Sequence, residues 1–278
     1  MKLNPGLLLI SREFIKRKLV LDYFDDATNI AGINPIIEII PFLKYLNILD
    51  SNNYIHEFHQ EDSDEKILQK ILYLYILKRD QDLDSDFRWL TRAYKGINFI
   101  RERVDDNMNA CFRQANLYND DSELMEEWWD NIYAYSRKKT QEFHQETGRE
   151  GEKLSFLYEL QRVGIKPRKE YIQNTSAGYD LLSIHSHNSI EKLMIETKSS
   201  TSSINQAEAF ITRNELDMAI EHSNYIFHFW LLREKKLAIL DRELLITTAP
   251  KNINEGEWEK FKVPFITFVD HFKEVSFN

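Results

Sequence analysis

Through the first half of the chain, apolar residues recur at three- and four-residue spacing, which predicts helices. Through much of the second half they alternate or run continuously over short stretches, which predicts strands. Near the N-terminus, Ser11 is placed to cap a helix running through Tyr23, with Phe14, Leu19, Leu21 and Phe24 as apolar positions and Arg12, Lys16, Arg17 and Lys18 as charged ones. After Gly32, residues 35–46 have the apolar density of a buried helix, followed by the turn-forming run Asp50-Ser51-Asn52-Asn53 and a short strand over 54–58. Helix, turn and strand in that order are the layout of a winged helix. An ordinary helix before an edge strand fits them better, because no cluster of Arg, Asn or Gln suited to reading bases accompanies them. Residues 65–79, 85–104 and 122–145 again have helical spacing, with Asp64, Asp84 and Asp121 at the N-cap positions. Trp89, Trp128 and Trp129 fall inside these helices and are expected in the core.

The pattern changes at Gly148. A helix with apolar positions Leu154, Leu157, Tyr158, Leu160 and Val163 is expected to begin there and to end at Gly164. Three short strands should follow, in KPRKEYI, GYDLLSIHS and IEKLMIETKSS, the last two joined as a hairpin through His187-Asn188-Ser189. Beyond a serine-rich loop, Thr212 and Glu215 form a Thr-x-x-Glu capping box for a helix through His222, and strands over 225–232 and 236–240 come next. The expected fold is therefore α+β with two domains: a mostly helical domain, residues 1–146, for recognition or assembly, and an α/β domain, residues 147–278, built on a central mixed sheet.

The bulk properties refine this picture. A length of 278 residues suits two cores better than one. No apolar run reaches the roughly 18 residues of a membrane helix, and the N-terminus shows no secretion signal. Cys111 is the only cysteine, so it has no partner within the chain, which fits a reducing cytoplasm. The net charge of −9 is uneven: residues 1–146 hold 26 acids against 19 bases, residues 147–278 hold 19 against 17. An acidic front half suits a protein partner, an oligomer is compatible with it, and no membrane partner is expected. The near-neutral back half leaves room for a local basic groove.

In the expected hairpin, Asp180 and Lys198 are equidistant from a turn centred at Ser189, as are Leu182 and Glu196. That register sets Asp180 opposite Lys198, while Glu196 and Lys198, two apart, share a face. Two carboxylates and a lysine are what metal-assisted phosphodiester hydrolysis requires: oxygen ligands for a hard cation and a positive group beside the phosphate. A cross-strand salt bridge fits the same spacing. His185 and His187, at the hairpin tip, are about seven residues or roughly 23 Å from that end and cannot share its metal.

GYD at 178–180 and IETKSS at 195–200 resemble the Asp … Glu-x-Lys signature of the PD-(D/E)xK nucleases, with Tyr179 in the usual proline position. Together with GREGE at 148–152 and FITRNELDMA at 210–219, they resemble the restriction-endonuclease-like domain of the NO VEIN C-terminal type, over about residues 147–232. The resemblance implies a DNA endonuclease of restriction or antiviral defence using Mg²⁺ or Mn²⁺. In it Asp180 and Glu196 would be metal ligands, Lys198 would position or deprotonate the water, and Glu152, or Glu150 in its place, would be an accessory acid. Arg213 and Asn214, in the first turn of the helix after Thr212, are candidates for contacting phosphate. The rival expectation is a non-catalytic subunit that keeps the nuclease fold for docking.

Overall fold

The computed structural model describes residues 2–21, 36–119, 122–169, 178–251 and 258–277. The chain forms two compact units, Met1–Gln141 and Glu142–Asn278. It is α+β, with a helical N-terminal half and a mixed sheet in the C-terminal half. Among the described residues, no helix is long and apolar enough to cross a membrane.

The first unit contains α1 (Pro5–Leu21), α2 (Ile36–Tyr45), α3 (Asp64–Gln81), a 3-10 segment (Ser85–Lys95), α4 (Ile97–Arg101), α5 (Asp106–Gln114) and the first part of α6 (Glu123–Val163). Helix α1 begins six residues before the expected cap: Asn4 Oδ1 accepts the Leu7 N–H at 2.9 Å and Pro5 opens the helix, where its missing donor costs nothing. Ser11 is instead buried inside α1. Tyr23, Phe24, Gly32 and Pro35 lie outside the described residues. The expected strand over 54–58 is reduced to one bridge between Leu49 and Ile55.

Ser63, rather than Asp64, caps α3 by accepting the Lys66 N–H at 3.2 Å. Asp84 caps its helical segment as expected, but Gly96, at φ +102°, divides 85–104 in two, and Asp105 caps α5. Trp128 and Trp129 are buried, and their indole N–H groups donate to Gln69 O at 2.8 Å and Leu117 O at 2.7 Å. Satisfied donors make them core residues, as their positions predict.

No helix begins at Gly148, because α6 runs unbroken for 41 residues. A single glycine costs a helix only about 1 kcal/mol. Gly151 has a packing reason, since a Cβ there would stand 2.6 Å from Ser199 Cβ. The second unit continues with β1 (Arg168–Lys169), β2 (Leu181–Ile184), β3 (Lys192–Ser200), β4 (Glu208–Thr212), α7 (Arg213–Glu221), β5 (Tyr225–Leu231), β6 (Lys236–Asp241), α8 (Arg242–Thr248), β7 (Lys260–Pro264), a 3-10 turn (Phe265–His271) and β8 (Lys273–Glu274).

Strand order in the main sheet is β1-β2-β3-β5-β6-β8; β3 and β5 are parallel and the other pairs antiparallel. A separate ribbon pairs β4 with β7. The aromatic run Tyr225, Phe227 and Phe229 is buried on one side of β5 in a core that includes Ile211, Leu216 and Phe265. His228 and Trp230 point to the other side, where both reach the buried Ser155 hydroxyl of α6. Strand alternation thus gives β5 two buried faces, as expected of a central strand.

Candidate active site

The site is built on the hairpin of β2 and β3, whose register differs from the sequence expectation. Leu181 pairs with Ile195 and Leu182 with Met194, so Asp180, one step beyond, stands opposite Glu196 and not Lys198. The tip explains the shift: Ser189 N–H donates to Ser186 O and His185 N–H to Glu191 O, which centres the turn on Asn188 and leaves Ile190 exposed. Because the shift moves each partner by two residues, every side chain keeps its face.

Odd positions of β3 face α6. Thr197 Oγ1 bonds Ser155 Oγ at 3.1 Å, and Ser199 Oγ donates to Thr147 O at 2.8 Å. Even positions present Glu196 and Lys198 on the face toward α7. Asp180 Oδ2 accepts the Thr197 N–H at 2.8 Å, so β3 holds the aspartate as well as carrying the other two groups. Lys198 Nζ lies 2.7 Å from Glu196 Oε1 and 2.8 Å from Glu215 Oε2. Glu215 was legible in the sequence only as a capping residue. It fills that role too, since its carboxylate accepts the Thr212 N–H at 3.0 Å while Thr212 Oγ1 accepts the Glu215 N–H.

The loop bearing Asp180 docks on the same elements. Tyr225 O–H donates to Gly178 O at 2.6 Å. Gly178, at φ +72°, has no Cβ, and one placed there would stand 2.6 Å from Met218 Cγ and 2.9 Å from Asn214 Nδ2. Asn214 is therefore packed beside Gly178. Arg213 is engaged by Asp217 at 3.0 Å and by the Trp258 ring, 5.0 Å from its centroid.

Crowded carboxylates in a buried place resist ionisation. Burial holds the Glu196 carboxyl well above its ordinary value; the Lys198 ammonium opposes the shift and Asp180 and Glu215 add to it. Burial raises Asp180 as well, offset in part by the Thr197 N–H and Lys198. Lys198 is itself raised, because its two carboxylate neighbours outweigh desolvation. On α6, burial and the charge of Asp180 push Glu152 up to about 7, with Lys169 and Arg149 pulling the other way. Glu150 is exposed. At the hairpin tip, His187 Nδ1 lies 2.7 Å from Val163 O, and Arg162 donates to Ile184 O and His185 O, so the His-x-His pair belongs to the docking of the tip on α6.

Among the described residues, no three His, Cys, Asp or Glu side chains are spaced to hold a metal ion. Mg²⁺ needs less, because it commonly keeps several waters and takes one or two carboxylates. Asp180 and Glu196 meet that requirement. One oxygen of each has a named donor, and the other has no hydrogen bond among the described residues. Asp180, Glu196 and Glu215 set three acids around the Lys198 ammonium, a crowding that a cation would relieve. The donor set fits a hard divalent ion.

Residues 151–238 match the family model described as Protein NO VEIN, C-terminal. The match spans under a third of the chain and contains every residue of the site. No curated protein and no solved structure matches the chain.

Proposed function

We propose that the C-terminal unit is a restriction-endonuclease-like domain that hydrolyses phosphodiester bonds in DNA with Mg²⁺ or Mn²⁺, in restriction or antiviral defence. The observation that carries this reading is the placement of Asp180, just before β2, opposite Glu196 with Lys198 beside them midway along β3, inside the family match. Asp180 and Glu196 would hold the ion, which supplies positive charge against the phosphate and lowers the pKa of a water. Lys198, kept charged by its carboxylate neighbours, is suited to steadying negative oxygen and unsuited to accepting a proton. Glu152, whose carboxyl is pushed up to about 7 by burial and the charge of Asp180, is the candidate for exchanging one. Arg213 and Asn214 are the proposed phosphate contacts, and the acidic front half is the proposed surface for a protein partner.

A second reading has its own observation. Lys198 is paired with two carboxylates, and the described residues hold no three-ligand cluster, which suits a non-catalytic scaffold whose charged groups only stabilise the hairpin. Incubating the purified chain with plasmid, single-stranded DNA and RNA, with Mg²⁺, with Mn²⁺ and with chelator, separates the two: the nuclease reading expects metal-dependent cutting of DNA, the scaffold reading none.

A further inference from the structure

We propose that Glu215 is a positioning residue of this site, holding the Lys198 ammonium in place while Glu196 serves a cation; the inference rests on the nuclease reading above. The geometry has three parts. Glu215 Oε2 lies 2.8 Å from Lys198 Nζ, as near as Glu196 Oε1 at 2.7 Å. The same Glu215 oxygen accepts the Thr212 N–H at 3.0 Å, so the carboxylate is pinned to the start of α7 before it meets the lysine. Finally, Thr212 pairs with Lys260 at the end of the β4–β7 ribbon, which anchors the clamp outside the catalytic hairpin.

A cap alone does not explain this residue. Glutamine serves the third position of a capping box as well as glutamate does, and a carboxylate that is 14% exposed is unfavourable unless a cation pairs with it. Nor does Glu196 suffice to hold Lys198. A lysine side chain has four rotatable bonds, and a carboxylate shared between an ammonium and a divalent ion is an unsteady anchor. A second carboxylate, committed to the lysine and fixed by a helix start, removes that conflict.

The substitutions that separate the roles are Glu215→Gln, which keeps the capping hydrogen bonds and loses the charge, and Thr212→Ala, which loses the cap side chain and keeps the ion pair. In the full chain, E215Q is expected to lower kcat by about 10- to 100-fold at saturating metal and substrate, with Tm and the Mn²⁺ Kd near wild type. T212A is expected to lower Tm while kcat stays within about twofold. In a Lys198→Met background, E215Q should lower the residual rate by less than about twofold, because it acts through the lysine. An E215Q enzyme that cuts at the wild-type rate overturns the inference. So does one whose Mn²⁺ affinity falls about tenfold or more, which would make Glu215 a ligand. A wild-type chain that cuts no nucleic acid overturns the nuclease reading and this inference with it.

Discussion

The Thr197 backbone N–H donates to Asp180 Oδ2, so the residue between Glu196 and Lys198 fixes the aspartate that faces them. Three charged groups are thereby set by one strand. The side chain of Thr197 turns the other way, to Ser155. Ser155 Oγ also accepts the Trp230 Nε1–H at 2.8 Å and lies 3.2 Å from His228 Nδ1, so a single buried hydroxyl ties α6 to β3 and β5 behind the site.

Removing that hydroxyl leaves buried polar groups without partners. Ser155→Ala is expected to destabilise the protein by about 1–3 kcal/mol. Urea denaturation checks this; an unchanged midpoint would show that the network behind β3 contributes nothing.

Two glycines of the same helix should respond in opposite directions. A Cβ at Gly148 meets nothing within 4 Å, so Gly148→Ala is expected to stabilise by about 0.5–1 kcal/mol through helix propensity. At Gly151 the new carbon would stand 2.6 Å from Ser199 Cβ, and displacing β3 costs about 1–3 kcal/mol, more than the propensity gain. Thermal melts of the two variants should move apart. Equal shifts would mean that α6 does not press on Ser199.

Reading the sequence brought Asp180, Glu196 and Lys198 together and put Glu196 and Lys198 on one face, but it gave the wrong register and left out the contact of Glu215 with Lys198. The spacing of Asp180, Glu196 and Lys198 was informative because side-chain alternation survives a two-residue shift. The shift itself arises at the tip, where Ser186 and Ser189 close the turn and Ile190 is expelled, an outcome no periodicity encodes. Pro5, Gly96 and Asp105 carried ordinary capping and breaking signals, obscured by the apolar positions around them. Ribbon strand β4 overlaps the start of the 210–219 motif, whose capping box draws attention to the helix that follows. Glu215 stayed hidden for a different reason: its local role explained it fully, and only the folded sheet brings Lys198 to it.

Stability should fall as pH rises past the ordinary carboxylate range. Glu152 titrates at about 7 in the folded chain, against about 4.5 for an unperturbed glutamate. Below the lower value both states are protonated; between the two, unfolding releases a proton, so the contribution is lost as pH rises through 7. Discounted for the screening of a partly exposed carboxylate, the loss is roughly 1–3 kcal/mol. Glu152→Gln should flatten the dependence of Tm on pH between 4.5 and 7, and a variant that keeps the wild-type slope would assign it to other groups.

Metal and the site carboxylates should be linked without catalysis. Because Asp180 and Glu196 are held above their ordinary values by burial, Asp180→Asn and Glu196→Gln are expected to leave Tm unchanged or raised in chelator. Mn²⁺ at about 100 times its Kd should add roughly 2.7 kcal/mol to the wild type and little to either variant. Equal Mn²⁺ stabilisation of all three proteins would place the ion elsewhere.

Cleavage by the same three proteins tests the central claim most directly. Supercoiled plasmid and single-stranded DNA are incubated with wild type, Asp180→Asn and Glu196→Gln in Mg²⁺, Mn²⁺ or chelator. The nuclease reading expects metal-dependent cutting by the wild type, lost in both variants while their melting curves stay intact. Absence of cutting by the wild type, or cutting that persists in both variants, would contradict it.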